Sequence, residues 1–279
     1  MTIKNIITLI LTVPVIYLSG CSFNTAPVTT IRIKGSDTML YLTRNLAEEY
    51  MKRNPGVSVY VEGGGTAAGV KSLIKGEIEI ATASRTLQAE EVKQLADHYG
   101  SIGISFTIAR DALSIYVNPA NPVKNFTTEQ LKGIFTGSIT NWKELGGEDK
   151  PVTVIIRSPN SGTYLYFKEH ILGDDAYLSN ATVLNTTESI VEEISSSKTA
   201  IGYGGIGYGG EIYHARVNSI EPSEDNVRND TYPIARYLHL YTLNSPTGKI
   251  KDFINWVMTP EGQKIVKQSG YIPLFEMNY

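Results

Sequence analysis

Thr29-Thr30-Ile31-Arg32-Ile33-Lys34-Gly35-Ser36-Asp37-Thr38 alternates apolar and polar side chains, then breaks into a run of small hydrogen-bonding residues. The alternation through Ile31 and Ile33 predicts a short strand, because successive side chains of extended chain face opposite ways. Leu42, Leu46, Tyr50 and Met51 follow at helical spacing until Asn54-Pro55 stops the run. A strand therefore enters a polar loop, and the loop opens a helix. Working outward, the same order recurs. Val57, Val59 and Val61 lead into Glu62-Gly63-Gly64-Gly65-Thr66 and a helix from Ala67 to Lys75, and Ile78 and Ile80 lead into Ala81-Thr82-Ala83-Ser84-Arg85 and a polar helix over Glu90 to Tyr99. A second set begins near Asp111, with a strand through Leu113, Ile115 and Val117 and a capping box at Thr127 and Gln130. Val152, Val154 and Ile156 then meet Arg157-Ser158-Pro159-Asn160-Ser161-Gly162-Thr163 ahead of a helix over Tyr164 to Ile171. Further helices are expected over Glu188 to Ser195, Ile250 to Val257 and Pro260 to Val266. This alternation predicts an α/β fold with parallel sheet order.

Four of the strands end in loops rich in Ser, Thr and Gly. In an open α/β sheet, ligands sit beyond the carboxyl ends of strands, and a helix N-terminus there offers unpaired N–H groups and partial positive charge. Ser36, Thr38, Thr66, Ser84, Ser161 and Thr163 add hydroxyl donors, and Gly64, Gly65 and Gly162 allow close backbone approach. Arg157 supplies a rigid cationic fork suited to a phosphate-like ion. Each loop by itself is equally well read as simple helix capping; four together point to an oxyanion.

Other chemistries find less support. The chain carries 25 Lys and Arg against 28 Asp and Glu, a net charge of −3, with no basic run for nucleic acid. Gly64 to Ser72 approaches a nucleotide P-loop, but Val70 separates Gly69 from Lys71. Gly202-Tyr203-Gly204-Gly205-Ile206-Gly207 has dinucleotide-fingerprint spacing without the crossover helix, so close packing or a turn is the better reading. His98, His170, His214 and His239 are scattered without metal-ligand spacing, and no Gly-x-Ser-x-Gly elbow is present. No cofactor, metal or catalytic residue is expected. The competing enzyme reading, an extracellular phosphoester hydrolase, lacks an activated nucleophile.

At the N-terminus, Lys4 precedes a short apolar run over Ile6 to Ile16, and Leu18-Ser19-Gly20-Cys21 follows. The run is too short to span a bilayer comfortably and predicts a signal peptide over residues 1–20. Cys21 is the single cysteine, so it cannot form an internal disulfide. The tetrapeptide resembles the bacterial lipobox, which implies diacylation of Cys21 and anchoring to the extracytoplasmic face of a membrane, in a periplasm or at a cell surface. Residues 21–29, with Pro27, are expected to form a tether.

Several motifs in order, Gly35-Ser36-Asp37-Thr38, Gly64-Gly65-Thr66, Ala83-Ser84-Arg85 and Arg157 through Thr163, resemble the phosphate-binding proteins of bacterial phosphate ABC transporters. The likeness extends through Ala200 to Gly204, Tyr232-Pro233-Ile234-Ala235-Arg236, and Thr259 to Leu274. It implies two α/β lobes, residues 30–110 with 237–279 and residues 111–236, joined by two chain crossings at a hinge, with ligand in the cleft. It also implies a monomeric, non-enzymatic receptor that passes phosphate to membrane permease subunits. By similarity Thr38, the Met39 backbone, Thr66 and Ser84 contribute from one lobe, and Arg157, Ser161, Gly162 and Thr163 from the other. Some family members place an acidic proton acceptor after the serine matching Ser84; here that residue is Arg85, and Asp37 is the candidate replacement, with a helix N-cap as its equally good alternative role. Arg85 is expected either at the anion or paired with a carboxylate. Sulfate or molybdate binding, and sensing or adhesion without transport, are the alternatives within the same fold.

Overall fold

The computed structural model describes residues 28–276. The leader expected over 1–20, the Cys21 lipidation site and nearly all of the tether expected over 21–29 lie outside the described residues. The chain begins with β1 (Thr29–Gly35), a 3-10 turn over Asp37–Met39, α1 (Leu40–Arg53), β2 (Val57–Glu62), α2 (Thr66–Ile74), β3 (Ile80–Ala83) and α3 (Ala89–Tyr99). It continues through β4 (Ile104–Val117), β5 (Asn125–Phe126), α4 (Thr128–Thr136), β6 (Thr153–Arg157) and α5 (Gly162–Phe167). Next come β7 (Thr182–Leu184), α6 (Thr187–Ser196), β8 (Ala200–Gly205), β9 (Tyr213–Val217) and α7 (Glu224–Arg228). The last elements are β10 (Ala235–Thr242), α8 (Gly248–Val257) and α9 (Pro260–Gln268).

Local chemistry sets many of these boundaries. α1 buries Leu42, Leu46 and Tyr50 on one face, carries Lys52 and Arg53 in its last turn, and stops before Pro55. At α4 the expected capping box is present: Gln130 N–H donates to Thr127 Oγ1 at 3.1 Å and Thr127 N–H to Gln130 Oε1 at 2.9 Å. α9 starts with Pro260 behind a Thr259 cap.

The strands follow the order β2-β1-β3-β10-β4-β8-β6-β7. β1 runs parallel to β2 and β3, and β6 parallel to β7 and β8. The middle departs from the expected parallel order, since β10 is antiparallel to both β3 and β4, and β4 is antiparallel to β8. The cause is β4, a 14-residue strand that extends well ahead of Asp111 and carries the chain from one half of the molecule into the other. β10 carries it back, paired with β4 from Ala235↔Ala112 to Thr242↔Ile104.

Two large apolar clusters lie on either side of this crossing. One gathers Ile31, Leu42, Ile80, Ile108 and Leu238; the other gathers Leu113, Phe135, Phe167, Tyr203 and Ile234. Along β4 the change falls between Ala109 and Ala112, where Arg110 and Asp111 intervene. The fold therefore has two lobes joined by two strands. No helix among the described residues is long and apolar enough to cross a membrane.

The glycine-rich run at 201–210 is a buried strand and its exit rather than a cofactor loop. Gly202 lies against Ile190, and Gly204 against Tyr116 and Thr187, as close packing requires. Gly69, from the near-P-loop, seats α2 directly on the end of β1: a Cβ there would lie 2.5 Å from the Lys34 carbonyl oxygen and 2.6 Å from Gly35 Cα. Backbone cannot swing aside as a side chain can, so Gly69→Ala is expected to destabilise the fold by about 1–3 kcal/mol. Denaturant unfolding measures this, and an unchanged midpoint would refute the packing argument.

Candidate functional site

The loops after β1, β2, β3 and β6 converge where the two lobes face each other. Their centre is an ion pair. Arg157, at the end of β6, directs one terminal nitrogen to Asp37 Oδ2 at 2.9 Å. The two side chains are only 1% and 8% exposed. The same nitrogen donates to the Asn185 carbonyl at 2.8 Å, and the other donates to Thr187 Oγ1 at 2.8 Å. Burial pulls the guanidinium below its ordinary value, and the neighbouring Asp37 carboxylate opposes that pull. Asp37 is further held by the Gly64 N–H, which donates to Oδ1 at 3.0 Å. A Cβ on Gly63 would collide with that oxygen. Tyr208 donates its hydroxyl to the Asp37 carbonyl and Tyr271 donates to the Thr38 carbonyl. Burial raises both phenols, which keeps them protonated donors.

Hydroxyls surround this pair. Thr38 Oγ1 and Thr163 Oγ1 are 2.8 Å apart across the cleft. Thr66 Oγ1 accepts the Ser84 N–H at 3.3 Å, and a Cβ on Gly162 would clash with both Thr66 Oγ1 and Ser84 Oγ. Ser161 caps α5, accepting from the Thr163 and Tyr164 N–H groups at 3.2 and 3.4 Å. The acceptor role leaves its own proton free to donate. Two buried polar atoms in this group, Ser84 Oγ and Arg157 Nε, have no hydrogen-bond partner among the described residues. Buried polar groups are nearly always paired, so such orphans suit a ligand.

A second ion pair lies at the crossing strands. Arg236 on β10 donates from Nε to Asp111 Oδ2 on β4 at 2.9 Å, and one terminal nitrogen lies 2.8 Å from the same oxygen. Its other terminal nitrogen donates to Thr163 Oγ1 at 3.1 Å. Burial pushes the Asp111 carboxyl up, against the opposing charge of Arg236. A cavity of about 800 Å³ adjoins this group, bordered by Arg85, Leu87, Tyr166, His170, Arg236 and His239. The lobes also touch through Asn160, whose Nδ2 donates to the Gly64 carbonyl at 2.9 Å and whose carbonyl accepts the Ala67 N–H at 3.2 Å.

Of the residues singled out in the sequence, Asp37, Thr38, Thr66, Ser84, Arg157, Ser161, Gly162 and Thr163 come together. Ser36 is buried at the end of β1, with its N–H donating to the Thr82 carbonyl. Asp37 does not cap a helix; its carboxylate serves Gly64 and Arg157 instead. The Met39 N–H, expected to reach the anion, donates at 3.0 Å to the Ser36 carbonyl and so closes the 3-10 turn. Arg85 takes the carboxylate option. Its terminal nitrogens donate to the two Glu91 oxygens at 2.8 and 2.7 Å, and one also donates to the Thr86 carbonyl at 2.8 Å. Glu91 is three residues beyond Gln88, the cap of α3, so the helix begins five residues after Ser84 and the Ser84 loop is not a helix N-terminus. Arg236, Asp111 and Asn160 were not singled out as site residues. Two adjacent charged residues, Arg110 and Asp111, inside the otherwise apolar run Ile108 to Leu113 were the available signal for Asp111.

Among the described residues, no group of three or more His, Cys, Asp or Glu side chains is placed to hold a metal ion. The arrangement can grip a small anion with hydroxyls and one guanidinium, while Asp37 offers an acceptor. Known proteins share this sequence pattern and fold. The PBP superfamily domain matches residues 23–261. The phosphate-binding protein PstS of Bacillus subtilis is 32% identical over 253 residues, covering 88% of this chain and 81% of the relative. A Clostridium perfringens protein, described as a phosphate ABC transporter substrate-binding protein with bound phosphate, superposes with a TM-score of 0.82 at 31% identity. The match covers 88% of this chain and all of that one. An ABC-type phosphate transport receptor from Vibrio cholerae gives a TM-score of 0.71 at 32% identity, over 87% of this chain and 99% of its own. With this sequence likeness and the two-lobed fold, the chain belongs to the phosphate-binding protein family of the PBP superfamily.

Proposed function

We propose that this protein is a lipid-anchored, extracytoplasmic receptor that binds inorganic phosphate in its cleft and delivers it to the permease of an ABC transporter. The observation that carries the reading is the buried Asp37–Arg157 pair between the lobes, with the Thr38, Ser84, Ser161 and Thr163 hydroxyls around it. Arg157 matches the charge and geometry of an oxyanion. Asp37 supplies what phosphate needs and sulfate does not. A carboxylate accepts only, and each of its oxygens has capacity beyond the bonds from Gly64 and Arg157. A protonated phosphate oxygen can donate to it; fully ionised sulfate meets it as a like charge.

The lobes are taken as residues 30–110 with 237–279, and 111–236, and the apolar clusters on either side of Arg110-Asp111 support that division. Closure brings both donor sets to one ion, and a hinge between lobes is the motion that allows this. The receptor is expected to act without turning over its ligand and as a monomer.

Isothermal titration is expected to give one tight phosphate site per chain, with sulfate much weaker at neutral pH; equal binding of the two would refute the role given to Asp37. Arg157→Ala is expected to weaken phosphate binding by about two orders of magnitude in protein whose circular dichroism remains native. Unchanged affinity would remove Arg157 from the site.

Gly162→Ala tests closure. Its methyl would meet Thr66 and Ser84 from the opposite lobe. Phosphate affinity is expected to fall at least about tenfold, a cost of roughly 1.4 kcal/mol, and small-angle scattering with phosphate should report a more open molecule. Scattering identical to the unaltered protein would count against the steric argument.

Anchoring is tested at Cys21. The unaltered chain in bacterial cells should incorporate labelled fatty acid and sediment with membranes, and Cys21→Ser should do neither. Labelling that survives the substitution would exclude Cys21 as the anchor.

A further inference from the structure

Arg236 was not needed to account for phosphate capture, yet it is built into the site from behind. It lies directly opposite Asp111 in the β4–β10 ladder, on the two strands that join the lobes. Both side chains are almost completely buried, at 1% and 0% exposed. Asp111 is itself held in place, since its Oδ1 accepts the Ile206 N–H at 2.9 Å. The remaining terminal nitrogen of Arg236 reaches both lobes at once, to Thr163 Oγ1 at 3.1 Å and the Ser84 carbonyl at 3.4 Å.

The polarity of the Thr163 contact is fixed by chemistry. A guanidinium has only donors, so Thr163 Oγ1 must accept. A hydroxyl carries one proton, and with an acceptor position occupied by Arg236 that proton is directed to the other side. On that side lies Thr38 Oγ1, 2.8 Å away across the cleft, and either of these two hydroxyls can donate to the other. A hydroxyl that accepts from a cation is also a stronger donor, because hydrogen bonds in a chain polarise one another. Asp111 meanwhile neutralises the charge of Arg236, so the arginine acts by orientation and not by adding net attraction for an anion.

We propose that Arg236, clamped by Asp111, is a positioning residue that turns the proton of the Thr163 hydroxyl away from itself and toward the bound anion. The inference rests on the phosphate reading above and refines it. A Thr163 proton turned into the cleft is donated to an unprotonated phosphate oxygen, which leaves the ligand's own proton for Asp37. Arg236 thereby orients the ligand without touching it, and it works through the hydroxyl of Thr163.

A double-mutant cycle read by isothermal titration with inorganic phosphate tests this. The proteins are the unaltered chain, Arg236→Gln, Thr163→Val and the double variant. The same four are also made in an Asp111→Asn background, which removes the carboxylate that loss of Arg236 would strand. With Thr163 present, Arg236→Gln is expected to weaken phosphate binding by about 10- to 100-fold, the range for a charge-assisted hydrogen bond. With valine at 163 the same change is expected to cost less than about threefold, because the hydroxyl it acts through is gone. A purely structural role gives equal losses in both contexts, and that result overturns the proposal. So does an Arg236→Gln protein that binds within twofold of the unaltered chain. The Asp111→Asn set delivers the same comparison where Arg236→Gln does not fold. An unaltered protein that ignores phosphate would overturn the functional reading together with this one, whereas tight phosphate binding with an additive cycle overturns only the role of Arg236.

Discussion

A carboxylate and a guanidinium 120 positions apart in sequence meet at 2.9 Å in a place almost closed to water. Removing either charge from solvent without the other would be costly, so the loops that carry Asp37 and Arg157 are obliged to face each other. Much of the local structure serves that meeting. Gly63 has no side chain to crowd Asp37, Gly64 turns its N–H to it, and Thr187 and Asn185 take up the other guanidinium donors. Such a pair is weak grounds for stability, because a well-packed apolar substitute often does as well. Its value lies in specifying how the two lobes face each other.

The same logic makes the hinge closure proposed above a reversible one. The two large apolar clusters sit within the lobes, and the contacts between lobes include the Asp37–Arg157 pair, the Thr38–Thr163 hydroxyls and the Asn160 bonds to Gly64 and Ala67. Water can replace polar bonds of this kind at little net cost. Opening therefore need not expose a hydrophobic core, and the two crossing strands keep the lobes connected. A ligand that adds bonds to both lobes shifts such a balance by its differential affinity for the closed state.

How far the sequence could be read follows from the range of the interactions involved. Periodicity is local, and it located α1, α2, α6, α8 and α9 to within a few residues, along with the loops that supply Thr38, Thr66, Ser84, Arg157 and Thr163. Pairings between distant segments were less legible. Arg110 and Asp111 resembled a break between two sets of elements, yet they lie within one strand, because Arg236 across the ladder neutralises Asp111. The glycines of β8 could not announce a buried strand, since their reason is the bulk of Tyr116, Ile190 and Asp111 from elsewhere in the chain. Arg85 was recognisable as a cation and not as the partner of Glu91, because the side chain that completes a capping box can also take an ion pair. The Met39 N–H was counted as a ligand for the same kind of reason, as sequence does not reveal which amides a tight turn uses internally.

The charges at the site have a consequence for selectivity under the phosphate reading. Arg157 is balanced by Asp37 and Arg236 by Asp111, so the buried framework carries no excess positive charge from these four side chains. Beyond the donors of the Arg157 guanidinium, attraction to an anion must then come from oriented dipoles, the hydroxyls of four loops, and their strength depends on geometry more than on ligand charge. Asp37 becomes the deciding element. Placing an unprotonated oxygen against it costs several kcal/mol, as like charges in contact do, and no surplus cation is present to offset that. A ligand with one proton to give escapes the penalty. The balance that makes the framework tolerable in a buried place is thus also what would let one carboxylate distinguish two anions of nearly the same shape.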